Sequence, residues 1–132
     1  MPSEVLDSAQ TRLLAALGFL ASGAGLDRQA LTLFQQLSRL RPERSFGPVG
    51  WASHLLRQGR CADAVWVLQR SLRLMPAHTP CDDLAEVRGW LGLSLLANGE
   101  QSLGLQALRD SLAASPSSAV APMARSMLGQ PS

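Results

Sequence analysis

The chain has 132 residues, a formal net charge of +2 and a hydrophobic fraction of 46%, which is the composition of one globular domain rather than of a disordered segment. Its basic residues are all arginines that alternate with acids, so no dense basic run indicates nucleic-acid binding. Two cysteines are too few for a disulfide scaffold. No apolar run reaches the roughly 18 residues of a membrane span. The run near the N-terminus follows acidic residues, where a secretory signal needs basic ones.

The first predicted helix covers the apolar run that precedes Gly25. One face of this run has the i, i+3, i+4, i+7 spacing of a helix and is expected to be buried: Leu14, Leu17, Gly18 and Ala21. Gly25 is placed at the helix end, where glycine takes the left-handed conformation without steric penalty. A second helix follows and is predicted to stop before Pro42, because proline cannot donate the next backbone hydrogen bond.

The second predicted helix pair follows the same plan. It turns at Gly59 and stops before Pro76, and its first helix is predicted to start late, near Pro48. In the third pair, Thr79 is predicted as the N-cap and Pro80 as the first helical residue. The third pair also carries six additional residues, 79–84, which should lengthen its first helix by more than a turn. A short closing helix is predicted at about residues 121–128.

The residues that mark these elements recur at a fixed interval. A glycine, an alanine and a proline return after 34 positions, so that Gly25, Ala30 and Pro42 are followed by Gly59, Ala64 and Pro76. After 40 further positions the same places hold Gly99, Gly104 and Pro116. Small residues are expected where the two helices of a pair cross, because they let the backbones approach closely. The chain therefore contains three copies of one helix-pair unit.

A period of 34 residues with these landmarks resembles the tetratricopeptide repeat (TPR) family over residues 11–118. The family's Leu-Gly pair is matched by Leu17-Gly18 and Leu91-Gly92, whereas the second unit has Trp51-Ala52. The family's aromatic residue three positions later is absent from all three units. The resemblance implies an all-α fold of three helix-turn-helix units stacked as a right-handed superhelix with a C-terminal capping helix. The implied units are 11–44, 45–78 and 85–118, with 79–84 as an insertion and 119–132 as cap and tail.

The first unit, RLLAALGFLASGAGLDRQALTLFQQLSRLRPE, resembles the opening of the small TPR chaperones of type III secretion systems, of the YscY and YscG kind. This resemblance implies a bacterial cytoplasmic protein that holds a secretion subunit or substrate before export. The implied partner is an apolar or amphipathic helical segment of that protein. Nucleic acid, membrane insertion, cofactors, metals and catalytic residues are not expected. A homodimer is the alternative state when the partner is absent.

In the TPR family, fixed positions of the first helices line a concave groove, and these positions predict the partner-binding residues here. The eleven candidates are Arg12, Ala15, Phe19, Phe46, Val49, Ser53, Leu56, Arg57, Glu86, Leu93 and Leu96. The remaining positions of the same pattern hold Ser22, Gly23, Gly89 and Ala97. Large apolar side chains dominate the set, which suits an amphipathic or extended apolar segment. The alternatives are that many of these residues belong to the core or face another copy of the chain.

Other candidate sites are weaker. Four residues are of the types that bind zinc: His54, Cys61, His78 and Cys81. Their spacing does not fit a motif of paired metal ligands. A cysteine nucleophile would need a positioned base, and no Ser-His-Asp arrangement is recognisable in the sequence. The three tryptophans are expected to pack in the core or at the groove edge: Trp51, Trp66 and Trp90. A homo-oligomeric adaptor and an enzyme or metal protein on this scaffold remain the rival hypotheses.

Overall fold

The computed structural model describes residues 7–131, and this part of the chain forms seven α-helices and no strand. The helices are α1 (Ser8–Gly23), α2 (Asp27–Leu40), α3 (Phe46–Arg57), α4 (Cys61–Leu74), α5 (Cys81–Ala97), α6 (Gln101–Ala114) and α7 (Ala121–Met127). Each helix packs against the next one along the chain, and α3 also contacts α1 and α5. The first helices of the three pairs therefore lie side by side.

The turn inside each helix pair is built in the same way, as the sequence predicts. Gly25, Gly59 and Gly99 have φ values of 78°, 77° and 81°, which favour glycine over any residue with a Cβ. In the second pair, the Gly59 N–H donates to the Leu56 carbonyl and the Arg60 N–H to the Leu55 carbonyl, at 3.0 and 2.9 Å. These two bonds satisfy carbonyls that the helix end leaves without partners. The other two pairs repeat this bonding.

The predicted crossings of small residues are confirmed in the third pair. A Cβ added at Gly92 would lie 3.0 Å from the Gly104 carbonyl oxygen and 2.7 Å from Leu108 Cδ2. In the second pair, Ala52 and Ala64 are both completely buried. The backbones of paired helices are close enough at these points that larger side chains would separate them.

Phe34 of α2 occupies the junction between the first two pairs. Its side chain is completely buried, and its ring lies against the backbones of Gly18 on α1 and Gly50 on α3. A Cβ at Gly18 would stand 2.7 Å from Phe34 Cε1, and one at Gly50 would stand closer still. The ring of Phe19 meets the Phe34 ring edge-on, with centroids 5.0 Å apart. One aromatic side chain thus joins three helices.

Helix α3 begins at Phe46, close to the late start predicted near Pro48. Two other local predictions are wrong. Thr79 is not the N-cap of α5, since Pro80 holds that position and the Thr79 hydroxyl donates instead to the Pro76 carbonyl at 2.7 Å. Leu17, predicted to be buried with Leu14, is 44% exposed, because no described helix covers that side of α1.

The closing helix agrees with expectation, whereas the lengthening of α5 by residues 79–84 stays a prediction. Helix α5 has 17 residues, against 16 in α1 and 12 in α3. Helix α7 spans Ala121–Met127, and Ala121 and Ala124 are buried in it. Just before α7, Val120 packs on α5, where its Cγ2 would lie 2.7 Å from a Cβ at Gly89. The C-terminal end of the array is therefore covered by the chain itself.

Candidate partner-binding groove

The eleven predicted groove residues fall into three groups by exposure. Arg12, Phe19 and Arg57 are exposed, with Phe19 at 43%. Six others are half-buried on or beside the first helices: Phe46, Ser53, Leu56, Glu86, Leu93 and Leu96. The exposed and half-buried members supply apolar surface from α1, α3 and α5, which the fold sets next to one another.

The remaining two predicted residues belong to the core. Ala15 is 4% exposed and packs with Ala30 and Phe34, while Val49 is 8% exposed and lies in the larger cluster around α3, α4 and α5. Neither side chain is therefore accessible to a partner. The physical reason is packing against neighbouring helices, α2 for Ala15 and the α4 and α5 cluster for Val49, which covers these positions.

Other members of the same pattern also have structural contacts. Leu96 packs inside its own pair, since its Cγ would lie 2.7 Å from a Cβ at Gly104. Ser22 and Gly89 are buried, and Gly23 and Ala97 are exposed. Phe19, Leu56 and Leu93 keep solvent-accessible area, although Phe19 also packs on Phe34 of α2 and Leu56 also packs against the larger core cluster. The open apolar surface is therefore smaller than the sequence predicts.

Glu86 takes part in a polar junction between α5 and the start of α3. Its Oε2 accepts a hydrogen bond from the Ser45 hydroxyl at 2.6 Å. Asp83 accepts the Ser45 backbone N–H at 2.8 Å and lies 3.2 Å from Arg44 Nε. Burial raises the pKa of the Glu86 carboxyl, the Ser45 hydrogen bond lowers it, and the nearby Asp83 and Asp82 charges raise it further. The acids of α5 therefore hold the loop that precedes α3.

A second junction brings together residues that the sequence analysis did not connect. The Ser22 hydroxyl and His54 Nδ1 share a hydrogen bond at 2.7 Å, and Asp27 Oδ1 lies 3.2 Å from His54 Nε2. This is the set of groups that a serine hydrolase uses. However, Ser22 is only 8% exposed and His54 only 2%, so the hydroxyl has no open space for a substrate. The cluster instead fastens α3 to α1 and to the start of α2.

The candidate metal ligands do not converge in the described part of the chain. Cys61 and Cys81 are free thiols, and residues 7–131 contain no group of three or more side chains suited to hold a metal ion. Within the same residues, none of the helices has the length and apolar character required to cross a bilayer. His54 is engaged by Ser22 and Asp27, as described above.

Comparisons with known proteins identify the architecture. The fold is similar to the structure of the Yersinia enterocolitica type III secretion translocator chaperone SycD, with a TM-score of 0.71, 18% identity, and coverage of 93% of this chain and 90% of that one. It is also similar to the Arabidopsis OM64 TPR domain, with a TM-score of 0.65, 12% identity, and coverage of 90% and 93%. No protein-family model and no curated protein sequence matches the chain. The chain thus has the all-α fold of stacked TPR-like units found in a secretion chaperone and in a TPR domain.

Proposed function

We propose that this chain is a protein-binding chaperone that holds an apolar, helical segment of a type III secretion subunit or substrate against its first helices. In this proposal it acts in the bacterial cytoplasm, before export of the bound protein. The observation that carries it is that the adjacent first helices each leave large apolar side chains partly exposed: Phe19, Leu56 and Leu93. Such side chains suit an amphipathic helix laid across the array. The likeness to a translocator chaperone in fold supports the choice of partner class.

The first experiment identifies the stoichiometric partner by co-purification from the native bacterium and then measures its affinity for variants. Phe19→Glu and Leu93→Glu place a charge among apolar contacts and should each weaken binding by about tenfold or more. Arg28→Glu, an exposed change at the start of α2, is the matched control and should bind normally. Thermal melts of every variant accompany the binding assay. Unchanged affinity in both groove variants would refute the proposal, and collapsed melts would assign these residues to the core.

A second candidate function, self-association, is favoured by the opposite side of α1. Leu13, Leu17 and Leu20 are 60%, 44% and 70% exposed, and they form one stripe at i, i+4, i+7 spacing. No described helix covers this stripe, whereas α7 covers the other end of the array. In an antiparallel dimer, Leu17 would meet its own copy and Leu13 would meet Leu20. Light scattering over a concentration series tests this, with Leu13→Glu combined with Leu20→Glu expected to remain monomeric if the stripe is the interface.

A further inference from the structure

A cavity of about 530 Å³ lies on the side of the molecule formed by the second helices, away from the predicted groove. Its walls are the C-terminal halves of α2 and α4, from Gln35 to Pro42 and from Val67 to Leu74, and α3 contributes Pro48 and Trp51. We refer to it as the second-helix cavity. Its volume is within the roughly 300–1,000 Å³ of typical ligand sites. Nothing in the proposed chaperone role accounts for it.

Half of the residues that line the cavity are apolar, and one of these, Leu74, is 58% exposed. Trp66 does not line the cavity, but it precedes the cavity residue Val67 and is 53% exposed. Trp51 contributes to the cavity while also packing against both core clusters. The stretch of α4 from Val67 to Leu74 covers about 10 Å, or two helical turns. The cavity is therefore long enough to receive apolar side chains that stand one turn apart on a helix.

The charge around the cavity has one sign. Arg39 and Arg70 line it, and no carboxylate does. The C-terminal ends of α2 and α4 carry partial negative charge, which Arg39 and Arg73 in their last turns offset. Arg70 lies further inside α4, with its guanidinium 5.6 Å from the centre of the Trp66 ring. Its positive charge is therefore not offset by the partial negative charge at the C-terminal end of the helix. The carboxylate of Glu43, the residue after Pro42, lies 3.6 Å from Arg41 Nε and is paired there rather than with a cavity arginine.

We infer that the second-helix cavity is a binding site for an acidic, apolar segment of a partner protein. Two large apolar side chains of that segment would enter between α2 and α4, and its carboxylates would lie near Arg39 and Arg70. Charge complementarity selects this occupant, because a basic segment would meet two arginines and no acid. The site is separate from the groove of the proposed function, so a partner could contact both sides of the array, and either site could exist without the other.

The experiment uses two blocked peptides of opposite charge, EELLEEFLEE and KKLLKKFLKK, and isothermal titration with the whole chain. The acidic peptide should bind at least about tenfold more tightly than the basic one at low salt. Its affinity should fall several-fold between about 50 and 500 mM salt, because exposed charges are screened over that range. Equal binding of the two peptides, or no binding of the acidic one, overturns the inference.

Variants assign the binding to this cavity. Arg39→Glu with Arg70→Glu should weaken the acidic peptide by about tenfold or more and should improve the basic one, since both side chains are exposed and their charge is reversed. Ser71→Trp should block the cavity from its rim. Arg109→Glu, exposed on α6, is the control and should bind normally. Melting curves exclude unfolding as the cause. If Phe19→Glu abolishes peptide binding and the cavity variants do not, the peptide occupies the groove and the inference fails while the proposed function stands.

Discussion

The substitution Gly50→Ala tests whether helix propensity or side-chain packing has the larger effect on stability at this position. Gly50 lies inside α3, where alanine is preferred over glycine by about 0.8–1 kcal/mol. This preference already contains the smaller backbone entropy that alanine has in the unfolded chain. Helix propensity alone therefore predicts a more stable protein. The structure predicts the opposite, because the added methyl group would meet the ring of Phe34 well inside the roughly 3.5–4.0 Å of an ordinary carbon contact.

The ring has little room to move away. Phe34 is completely buried, and the same ring atoms also lie against Gly18, where a Cβ would already be only 2.7 Å distant. Overpacking of this kind costs about 1–3 kcal/mol and sometimes more, and a contact this short lies at the upper end of that range. The clash should therefore exceed the propensity gain and leave a net loss of about 1–2 kcal/mol. For a chain of this size, that loss lowers the melting temperature by roughly 3–10 °C.

The assay is urea denaturation and thermal melting of the parent and three variants. Gly23→Ala is the matched control, because it lies at the end of α1 with nothing within 4 Å of the added Cβ, and it should be neutral or slightly stabilising. Phe34→Leu in the Gly50→Ala background should recover part of the loss by freeing space beside the methyl group. If Gly50→Ala melts at or above the parent temperature, Phe34 does not fill this junction and the helix packing described here is incorrect.

Two further predictions concern the polar junctions. Burial raises the pKa of Glu86 above its usual 4.5, so ionisation of this carboxyl is less favourable in the folded state than in the unfolded state. The free energy of unfolding is therefore highest below about pH 4.5, with Glu86 protonated. The Glu86 contribution is progressively lost as the pH rises through the raised pKa. Glu86→Gln should thus match the parent in acid and exceed it near neutral pH in melting experiments, and parallel pH profiles would contradict this. Ser22→Ala removes the hydroxyl partner of buried His54 and should cost about 1–3 kcal/mol in urea denaturation. Ser102→Ala, exposed on α6, should change little, and equal midpoints for both serine variants would exclude the Ser22–His54 hydrogen bond as a source of stability.

Features that depend on a few adjacent residues were predictable from the sequence. The left-handed glycines at positions 25, 59 and 99 follow from backbone sterics, and the second helices end two residues before Pro42, Pro76 and Pro116. The period that relates these landmarks indicated stacked helix pairs, because a single pair cannot bury its apolar faces alone. The fold comparison confirms the resulting architecture.

Features that depend on residues far apart in the chain required the tertiary structure. The sequence predicts Leu17 on the buried face of α1 and Ala15 in the groove, yet packing against α2 buries Ala15, and the absence of a described helix on the other side exposes Leu17. The Ser22–His54 contact joins residues 32 positions apart, and the Asp83–Ser45 contact joins residues 38 apart. The second-helix cavity arises from a gap between α2 and α4 that no local pattern encodes. The sequence by itself determined where each helix pair turns and where its second helix ends, because those preferences are local. Only the packing of the helices decided which side chains are buried, paired or exposed to a partner, because burial depends on contacts between residues that are far apart in the chain.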